Sequence, residues 1–290
     1  MTALRDCGKA KLNLSLEVLG CRIDGYHELR SLVTFVELGD TVEFVPSDSL
    51  GLAVEGPFAG ALRGDNLLIA AAEAAKDKAP GITLGRFRVK KILPVAAGLG
   101  GGSADAAAAL RILARANPDA LPGSVLAEIT LHLGSDVTAC LGSRPALMTG
   151  RGEIVTEVRG MPACGVVLVN PGLPLATATV YSALNAAPLP GKVPDTAEVP
   201  DFGRSFERLI AYASLRSNDL QVAALSLAPV IGEVLDALKG QDGARLVRVA
   251  GSGPTCFAMF ATEAEAKAAA AELRAVHTDW WIEATMLRPN

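Results

Sequence analysis

A glycine-rich stretch before an alanine-rich run constrains this chain more than any other feature. Residues Pro94 to Ser103 read Pro-Val-Ala-Ala-Gly-Leu-Gly-Gly-Gly-Ser, with four glycines within five positions. Glycine has no Cβ, so such a stretch permits left-handed backbone and the close approach of another group. The following run, Ala104 to Leu110, favours a helix, with Ser103 as its predicted N-cap and Asp105 in its first turn. A glycine loop that leads into a helix N-terminus presents free N–H groups, which favours binding of a phosphate chain.

Two common phosphate-binding signatures do not fit this stretch. A Walker A loop requires lysine after its last glycine, where this chain has Ser103. A dinucleotide fingerprint requires a third glycine or alanine at a position that Ser103 or Asp105 occupies here. A glycine turn that merely packs before an alanine helix therefore stays open as an alternative.

The composition argues against several classes of protein. The net charge is −4, whereas a general nucleic-acid binder carries a strong basic excess. No run of about 18 apolar residues predicts a membrane span, and no apolar signal core follows the charged N-terminus. The five cysteines are scattered and form no CxxC pair, which predicts reduced thiols and no metal site. We therefore expect a cytoplasmic protein.

Residues 10–18 alternate strictly between apolar and polar side chains, which predicts a half-buried strand. Its polar face carries Lys11, Asn13, Ser15 and Glu17. Alternation alone favours a plain solvent-facing surface for these side chains over a functional one.

A predicted turn follows that strand at Asp24-Gly25, with Tyr26 and His27 at its edge. These two rings can stack on and hydrogen-bond a flat ligand. They can equally pack on their own sheet, and the sequence favours neither interpretation.

The rest of the first half alternates predicted strands and helices. Gly39-Asp40 is interpreted as a turn, and Asp65 or Asn66 as a helix cap. Asp136 stands near the start of a short helix, where capping is the commonest role of an aspartate. The predicted strands are 29–36, 41–45, 50–54, 86–93, 146–149 and 154–158, and the predicted helices are 67–79, 104–117, 124–133 and 137–141.

The pattern changes near Gly160, where we place the boundary between an N-terminal domain, 1–160, and a C-terminal domain, 161–290. The second half mixes strands and helices in an α+β pattern. Residues 187–200 hold four prolines and one glycine and are interpreted as a mobile surface loop. A second glycine turn, Ala250 to Thr255, offers further N–H groups for the same ligand. The predicted strands are 164–170, 256–260 and 280–285, and the predicted helices are 177–184, 203–214, 218–226, 230–239 and 263–276.

Six short stretches in this order resemble the GHMP kinases, named for galactose, homoserine, mevalonate and phosphomevalonate kinases. The resemblance runs from residue 10 to about residue 260. Asp-Gly-Tyr-His close behind Ala-Lys-Leu-Asn narrows it to the branch that phosphorylates a cytidine-linked methylerythritol. Residues 138–140 depart from the family, which is expected to alter packing near Asp136 more than its role. The six stretches are Ala10–Leu14, Asp24–His27, Asp65–Leu67, Pro94–Ser103, Gly134–Val137 and Gly251–Thr255.

The resemblance implies a two-domain α+β fold. Its N-terminal ATP-binding domain is like domain 2 of ribosomal protein S5, and its C-terminal domain is ferredoxin-like. It implies an ATP-dependent phosphotransferase that acts on the 2-hydroxyl of 4-diphosphocytidyl-2-C-methyl-D-erythritol, in the non-mevalonate route to isopentenyl diphosphate. Mg²⁺ is implied by ATP chemistry. The expected partners are these small molecules, without nucleic acid or membrane, and the expected state is a monomer or weak homodimer.

Two alternatives stay open. One is another small-molecule kinase of the family, against which the Asp24–His27 motif counts. The other is a nucleotide-binding regulator that has lost catalysis, against which the presence of both Lys11 and Asp136 counts.

The resemblance also assigns residues to roles. Lys11 and Asp136 match the catalytic pair, with Asp136 as general base. Ser103 is a weak candidate for contact with Mg²⁺, and no metal ligand is predicted. The ATP-binding set is Asn66, Pro94, Val95, Ala96, Ala97, Gly98, Leu99, Gly100, Gly101, Gly102, Ser103 and Ala104. The substrate-binding set is Asn13, Tyr26, His27, Thr177 and Tyr181, with the three rings at the cytosine and Thr177 at the diphosphate.

Overall fold

The computed structural model describes residues 3–62, 64–189, 191 and 198–288. The chain divides into two compact units, each assembled from separate segments. The first unit comprises Met1–Lys11, Gly39–Val95 and Gly100–Ser143, and the second comprises Leu12–Leu38, Ala96–Leu99 and Arg144–Asn290. The division at residue 160 stays a prediction.

The order of elements agrees with most of the predicted helices and strands. In chain order, the elements of the first half are β1 (Leu4–Asn13), β2 (Glu17–Cys21), β3 (His27–Pro46), β4 (Gly51–Glu55), a short 3-10 helix (Ala59–Ala61), α1 (Leu67–Lys78), β5 (Gly85–Lys90), α2 (Gly101–Ala116), α3 (Gly123–Leu133), α4 (Ser135–Gly142), β6 (Ala146–Gly150) and β7 (Ile154–Glu157). Those of the second half are β8 (Cys164–Asn170), α5 (Thr177–Leu184), α6 (Phe206–Ser214), α7 (Leu220–Leu227), α8 (Val230–Lys239), β9 (Leu246–Val249), β10 (Cys256–Phe260), α9 (Glu263–Val276) and β11 (Trp281–Leu287).

The first unit contains a small mixed sheet and a group of helices that pack on one another. The C-terminal part of β3 pairs antiparallel with β5, and β4 lies parallel to β5. β5 alternates as its sequence predicts, with Phe87 and Val89 buried and Arg86 and Arg88 exposed. α2 packs against α1 and α4, and the alanines of its first half are buried because their small side chains allow close helix packing.

β3 runs unbroken through Gly39 and Asp40, so the predicted turn at this dipeptide is wrong. A Cβ on Gly39 would lie 2.7 Å from the Cα of Lys9, and glycine is therefore required where β1 passes. Asp40 is fully buried and accepts hydrogen bonds from the backbone. Glycine and aspartate favour turns in most sequences. Here Gly39 allows a close contact between strands, and Asp40 is a buried hydrogen-bond acceptor.

The predicted strand 10–18 is two strands, because β1 ends at Asn13 and β2 begins at Glu17. Lys11, Asn13 and Ser15 are all buried. The solvent-facing interpretation of this polar face is therefore wrong for three of its four residues, and these side chains need polar partners.

The second unit contains a four-stranded antiparallel sheet in the order β11-β8-β10-β9. α9 lies between β10 and β11 in the chain, and helices also separate β8 from β9. This is the strand order of the predicted ferredoxin-like domain, and the α+β fold class is confirmed. Helices α8 and α9 bury their apolar faces against the sheet, with Leu235 and Ala270 in the same core as Phe260.

The first residues of the proline-rich tract, 187–200, form backbone hydrogen bonds with β2. Cys21 donates its N–H to the carbonyl of Ala187 at 2.8 Å, and Leu189 donates to the carbonyl of Cys21 at 2.8 Å. The start of the tract is therefore hydrogen-bonded to β2, and its residues Ala187 and Pro188 are exposed, as expected for a surface segment. Residues 190 and 192–197 of that prediction lie outside the described residues.

All five cysteines are free thiols. Cys140, Cys164 and Cys256 are buried, whereas Cys7 and Cys21 are half-buried. Within the described part of the chain, no helix has both the length and the apolar character that a membrane crossing requires.

Candidate active site

The glycine loop connects β5 to α2 through strained backbone. Ala96, Gly98 and Gly100 all have positive φ, at 51°, 76° and 65°. A Cβ on Gly98 would collide with the carbonyl oxygen of Ala250, so only glycine fits there. Alanine at 96 adopts a conformation that L side chains rarely adopt, which is typical of backbone held in place for a function.

The helix begins earlier than the sequence predicts. Gly100 is the N-cap of α2 in left-handed conformation, and Gly101 is its first residue. Ser103 therefore lies inside the helix rather than at its cap, and Asp105 lies beyond the first turn. The first amide groups of α2 belong to glycines, so no side chain covers the N–H groups that suit an anion.

Lys11 and Asp136 meet in the first unit. The Nζ of Lys11, on β1, donates to Oδ1 of Asp136, in the first turn of α4, at 2.6 Å. Lys11 is only 5% exposed, whereas the side chain of Asp136 is 44% exposed. Asp136 makes no side-chain cap on α4. The pair thus joins a buried cation to a carboxylate that a ligand can reach.

The end of the glycine loop lies beside this pair. A Cβ on Gly100 would stand 3.5 Å from the side chain of Lys11 and 3.9 Å from Oδ2 of Asp136. The start of α2, the ammonium group and the carboxylate are therefore neighbours. This juxtaposition can hold a phosphoryl group near a base.

Asn13 follows Lys11 by two residues and carries an unused acceptor. Its Nδ2 donates to Oγ of Ser31 at 2.8 Å, and Ser31 donates to the carbonyl of Ser15 at 2.6 Å. Its Oδ1 is buried without a hydrogen-bond partner among the described residues. The atom lies 3.4 Å from where a Cβ on Gly251 would stand. Since an unsatisfied buried carbonyl is costly, this oxygen is suited to a ligand's donor.

The second glycine turn lies against residues 96–99 within the second unit. The N–H of Thr255 donates to the carbonyl of Ala97 at 3.3 Å. Asn218 donates to the carbonyls of Val249 and Gly251 at 2.9 and 2.7 Å. The turn therefore supports the middle of the glycine loop.

The aromatic residues of the predicted site take part in two contacts. The rings of His27 and Tyr181 lie 4.8 Å apart at 34°. Tyr26 is 55% exposed, and the guanidinium of Arg151 lies 4.8 Å above its ring centre. Arg151 has no place in the predicted site. It lies in the turn between β6 and β7, which pair as an antiparallel hairpin.

Two further predicted residues have partners in the structure. Thr177, the first residue of α5, has its Oγ1 2.9 Å from Oγ of Ser252 in the second glycine turn. Asn66 is the N-cap of α1, and its Oδ1 accepts from the N–H of Leu68 at 2.9 Å. The role of Asn66 in nucleotide binding stays a prediction beside this structural role.

The sequence interpretation missed a buried charge cluster below the glycine loop. Lys91 donates to Oδ2 of Asp40 at 2.6 Å and to Oδ2 of Asp105 at 2.7 Å. Burial raises the pKa of Asp105 to about 7, against the opposing charge of Lys91. Burial lowers the pKa of Lys91, but the charges of Asp105 and Asp40 outweigh it and leave that pKa raised. A signal was present, because Lys91 follows β5 and continues the alternation that places Phe87 and Val89 on the buried face.

No group of three or more histidine, cysteine or acidic side chains in the described ranges could hold a metal ion. A Mg²⁺ that arrives with a nucleotide needs few protein ligands, since phosphates and water supply most of its oxygens. The residues present fit that mode of binding, since the hydroxyl of Ser103, half-buried in the first turn of α2, is an oxygen donor at the end of the loop.

Comparison with known proteins identifies two family models. The model "GHMP kinases N terminal domain" matches residues 66–144, and "GHMP kinases C terminal" matches residues 200–279. The first match contains the glycine loop and Asp136, and the second contains the second glycine turn.

Relatives match nearly the whole chain. A protein of a Bradyrhizobium strain, named 4-diphosphocytidyl-2-C-methyl-D-erythritol kinase, is 44% identical and covers 98% of this chain and 96% of its own length. A protein of the same name from Methylorubrum extorquens is 45% identical, with coverages of 99% and 100%.

Solved structures agree. A crystal structure of 4-(cytidine 5'-diphospho)-2C-methyl-D-erythritol kinase has a TM-score of 0.77 at 31% identity, covering 99% of this chain and 100% of its own. Homoserine kinase from Cytophaga hutchinsonii has a TM-score of 0.74 at 16% identity over 100% and 96% of the two chains, which shows a shared fold. The chain belongs to the GHMP kinases and, within them, to the family of the 4-diphosphocytidyl-2-C-methyl-D-erythritol kinases.

Proposed function

We propose that this chain transfers the γ-phosphoryl group of ATP to the 2-hydroxyl of 4-diphosphocytidyl-2-C-methyl-D-erythritol, a step of the non-mevalonate route to isopentenyl diphosphate. The observation that carries the proposal is the contact between Lys11 and Asp136 beside Gly100. The names of relatives that are 44% and 45% identical over nearly their full length support the choice of acceptor.

Asp136 acts as general base. Its exposed carboxylate takes the proton of the 2-hydroxyl as that oxygen attacks the γ-phosphorus of ATP, and ADP leaves. Lys11 keeps the carboxylate in one orientation through its 2.6 Å hydrogen bond. Its positive charge also offsets the charge that develops on the transferring group.

The glycine loop holds the phosphates of ATP. The amide groups at the start of α2 point at an anion placed before the helix, and the helix dipole adds to the attraction. The absence of side chains at Gly100, Gly101 and Gly102 lets the phosphates approach the backbone closely. Asn66 contributes near the adenine.

The second unit supplies the residues proposed to recognise the acceptor. Tyr26 and Tyr181 offer aromatic faces to the cytosine, and His27, in contact with Tyr181, offers ring nitrogens to its edge. Thr177 contacts the diphosphate. The free Oδ1 of Asn13 accepts a hydrogen bond from a donor group of the acceptor molecule.

Mg²⁺ neutralises the charge of the ATP phosphates when it is bound. Ser103 is the residue that would contact it from the protein, and the phosphates would supply most of its other oxygens. We also propose a cytoplasmic location, since all five thiols are unpaired, and a monomer or weak homodimer.

A turnover assay tests the proposal. The purified chain with ATP, Mg²⁺ and the cytidyl acceptor should form ADP and one new phosphomonoester on the acceptor, detected by phosphorus NMR. Homoserine and mevalonate serve as control acceptors. Phosphorylation of a control acceptor in place of the cytidyl compound would favour another kinase of the family. ATP binding without phosphorylation of any acceptor would favour a regulator.

A further inference from the structure

The charge cluster of Asp40, Lys91 and Asp105 lies in the first unit out of reach of solvent. All three residues are buried, and Asp40 is fully so. The cluster holds two acidic groups and one ammonium group, joined by hydrogen bonds of 2.6 and 2.7 Å from Nζ. A ligand cannot reach Nζ without displacing protein, so direct contact between Lys91 and a phosphate is not its role.

The cluster fastens both ends of the glycine loop. Asp40 accepts through Oδ1 from the N–H groups of Ile92 and Leu93, at 2.6 and 2.9 Å, directly before Pro94. Asp105 lies on α2, directly after the loop. Lys91 bonds both carboxylates at once and so connects the start of the loop to its end.

The ammonium group also lies against the first residue of α2. A Cβ on Gly101 would stand 3.2 Å from Nζ of Lys91 and 3.7 Å from Oδ2 of Asp40. The glycine therefore rests directly on the cluster. A shift of the lysine would move the amide groups that the proposed mechanism uses.

Stability alone is a weak reason for such a cluster. Removing charges from water costs several kcal/mol per ion, and well-packed apolar residues often stabilise a fold equally well. The second oxygen of Asp105, Oδ1, is buried without a partner among the described residues and packs close to Gly8. Because the cluster leaves one acceptor unsatisfied, we infer that its main contribution is to fix the positions of its neighbours and not to raise the free energy of unfolding.

We propose that Lys91 is a positioning residue, which together with Asp40 and Asp105 fixes the glycine loop in the shape that binds ATP. The proposal rests on the proposed kinase activity. It predicts that loss of the cluster weakens ATP binding while recognition of the cytidyl acceptor stays unchanged.

The test is the double variant Lys91→Met/Asp105→Leu. It removes one positive and one negative charge, keeps similar side-chain volumes, and leaves Asp40 held by two backbone amides. The matched control is Lys78→Met/Glu128→Gln, which removes an exposed 2.8 Å ion pair between α1 and α3 of the same unit. A milder variant, Asp105→Asn, retains an acceptor for Lys91.

The main readout is the affinity for a non-hydrolysable ATP analogue by calorimetry, which does not depend on the acceptor. We expect a loss of about 10- to 100-fold in the double variant, the range for a displaced binding group, a smaller loss in Asp105→Asn, and none in the control. In turnover, KM for ATP should rise and KM for the cytidyl acceptor should not.

Wild-type affinity in the folded double variant would overturn the proposal. Should that variant fail to fold, Asp105→Asn decides, since affinity equal to that of the control would overturn it equally. Failure of the wild-type chain to phosphorylate the cytidyl acceptor would contradict the proposed function and leave the calorimetric test in force.

Discussion

Two lysines in the first unit each donate a 2.6 Å hydrogen bond to an aspartate, yet their surroundings are opposite. Among the described residues, Lys11 has one carboxylate partner, Asp136, whose side chain is 44% exposed. In the same part of the chain, Lys91 has two carboxylate partners, Asp40 and Asp105, and all three side chains are buried.

The difference shows that the distance between the lysine nitrogen and the carboxylate oxygen does not reveal what an ion pair does in the protein. A carboxylate open to solvent on one side can exchange a proton with a ligand, and its lysine neighbour can feel the charge of that ligand. A carboxylate sealed in protein can do neither, so its contribution is geometry. Exposure of the carboxylate therefore distinguishes the proposed base, Asp136, from the proposed positioning residues, Asp40 and Asp105.

The largest expected effect separates the two pairs directly. Asp136→Asn preserves shape and removes the base, so kcat should fall about 10²- to 10⁴-fold with little change in ATP affinity. Asp105→Asn should show the reverse pattern, with weaker ATP binding and a smaller effect on kcat. Steady-state kinetics and calorimetry on both variants measure this. Near-normal turnover in Asp136→Asn would remove that residue from the mechanism.

The next prediction concerns the second unit, where aromatic residues are proposed to recognise the cytosine. Tyr26→Ala should raise KM for the cytidyl acceptor. The loss of binding free energy should be about 1–3 kcal/mol, the range for one base–aromatic stack. His27→Ala should lower the ratio of kcat/KM for the cytidyl acceptor to kcat/KM for its uridyl analogue. In the wild-type chain the wrong base leaves the polar group of His27 unpaired, and the variant no longer has that group. ATP affinity should stay unchanged in both.

The assay is kcat/KM for both analogues in the wild-type chain and the two variants. An unchanged ratio in the His27 variant would mean that this residue does not read the base.

A smaller effect tests the loop end beside Lys11 and Asp136. Gly100→Ala places a Cβ in ordinary contact distance but forces alanine into left-handed backbone, at a cost of about 1–2 kcal/mol in unfolding free energy. Gly102→Ala meets open space inside α2 and should leave stability unchanged or raise it by about 0.5–1 kcal/mol. Denaturant unfolding compares the two, and equal effects would contradict the strained backbone at Gly100.

The charge cluster should also make stability depend on pH. Burial raises the pKa of Asp105 to about 7, with Lys91 opposing the rise and Asp40 adding to it. The folded state therefore binds this proton more tightly than the unfolded state, and between about pH 4 and 7 the group's contribution to stability falls as pH rises. Relative to wild type, Asp105→Asn should gain stability from pH 5 to pH 7.5.

Thermal or denaturant unfolding at both pH values provides the measurement. Asp77→Asn, at an exposed position on α1, serves as the control and should not show the trend. A parallel pH course in Asp105→Asn and wild type would show that Asp105 does not titrate in this range.

Local patterns predicted much of the fold, and the motifs of the family selected two residues, Lys11 and Asp136, that the structure brings into contact. The alternation of β5, the glycine stretch and the alanine run predict strand, loop and helix in the right order, and the family motifs select Lys11 and Asp136. These features depend on neighbours in the chain, which a single sequence displays.

The features that sequence could not predict depend on distant contacts. Gly39 and Asp40 favour a turn in isolation, and only the passage of β1 explains why the strand continues. Lys91 lies on an apolar face, but its partner Asp40 is 51 residues away, so no local pattern connects them. The contact of Arg151 with Tyr26 likewise joins residues that are far apart in the chain, so no local pattern predicts it.

The free cysteines have a practical consequence for labelling. Burial raises the pKa of the thiols of Cys7, Cys140, Cys164 and Cys256, in the case of Cys140 and Cys164 to about 12, and so disfavours their thiolates. Cys21 is half-buried at the end of β2, five residues before Tyr26. An alkylating fluorophore used at neutral pH should therefore modify Cys21 first, and the wild-type chain carries its own reporter near the proposed cytosine site.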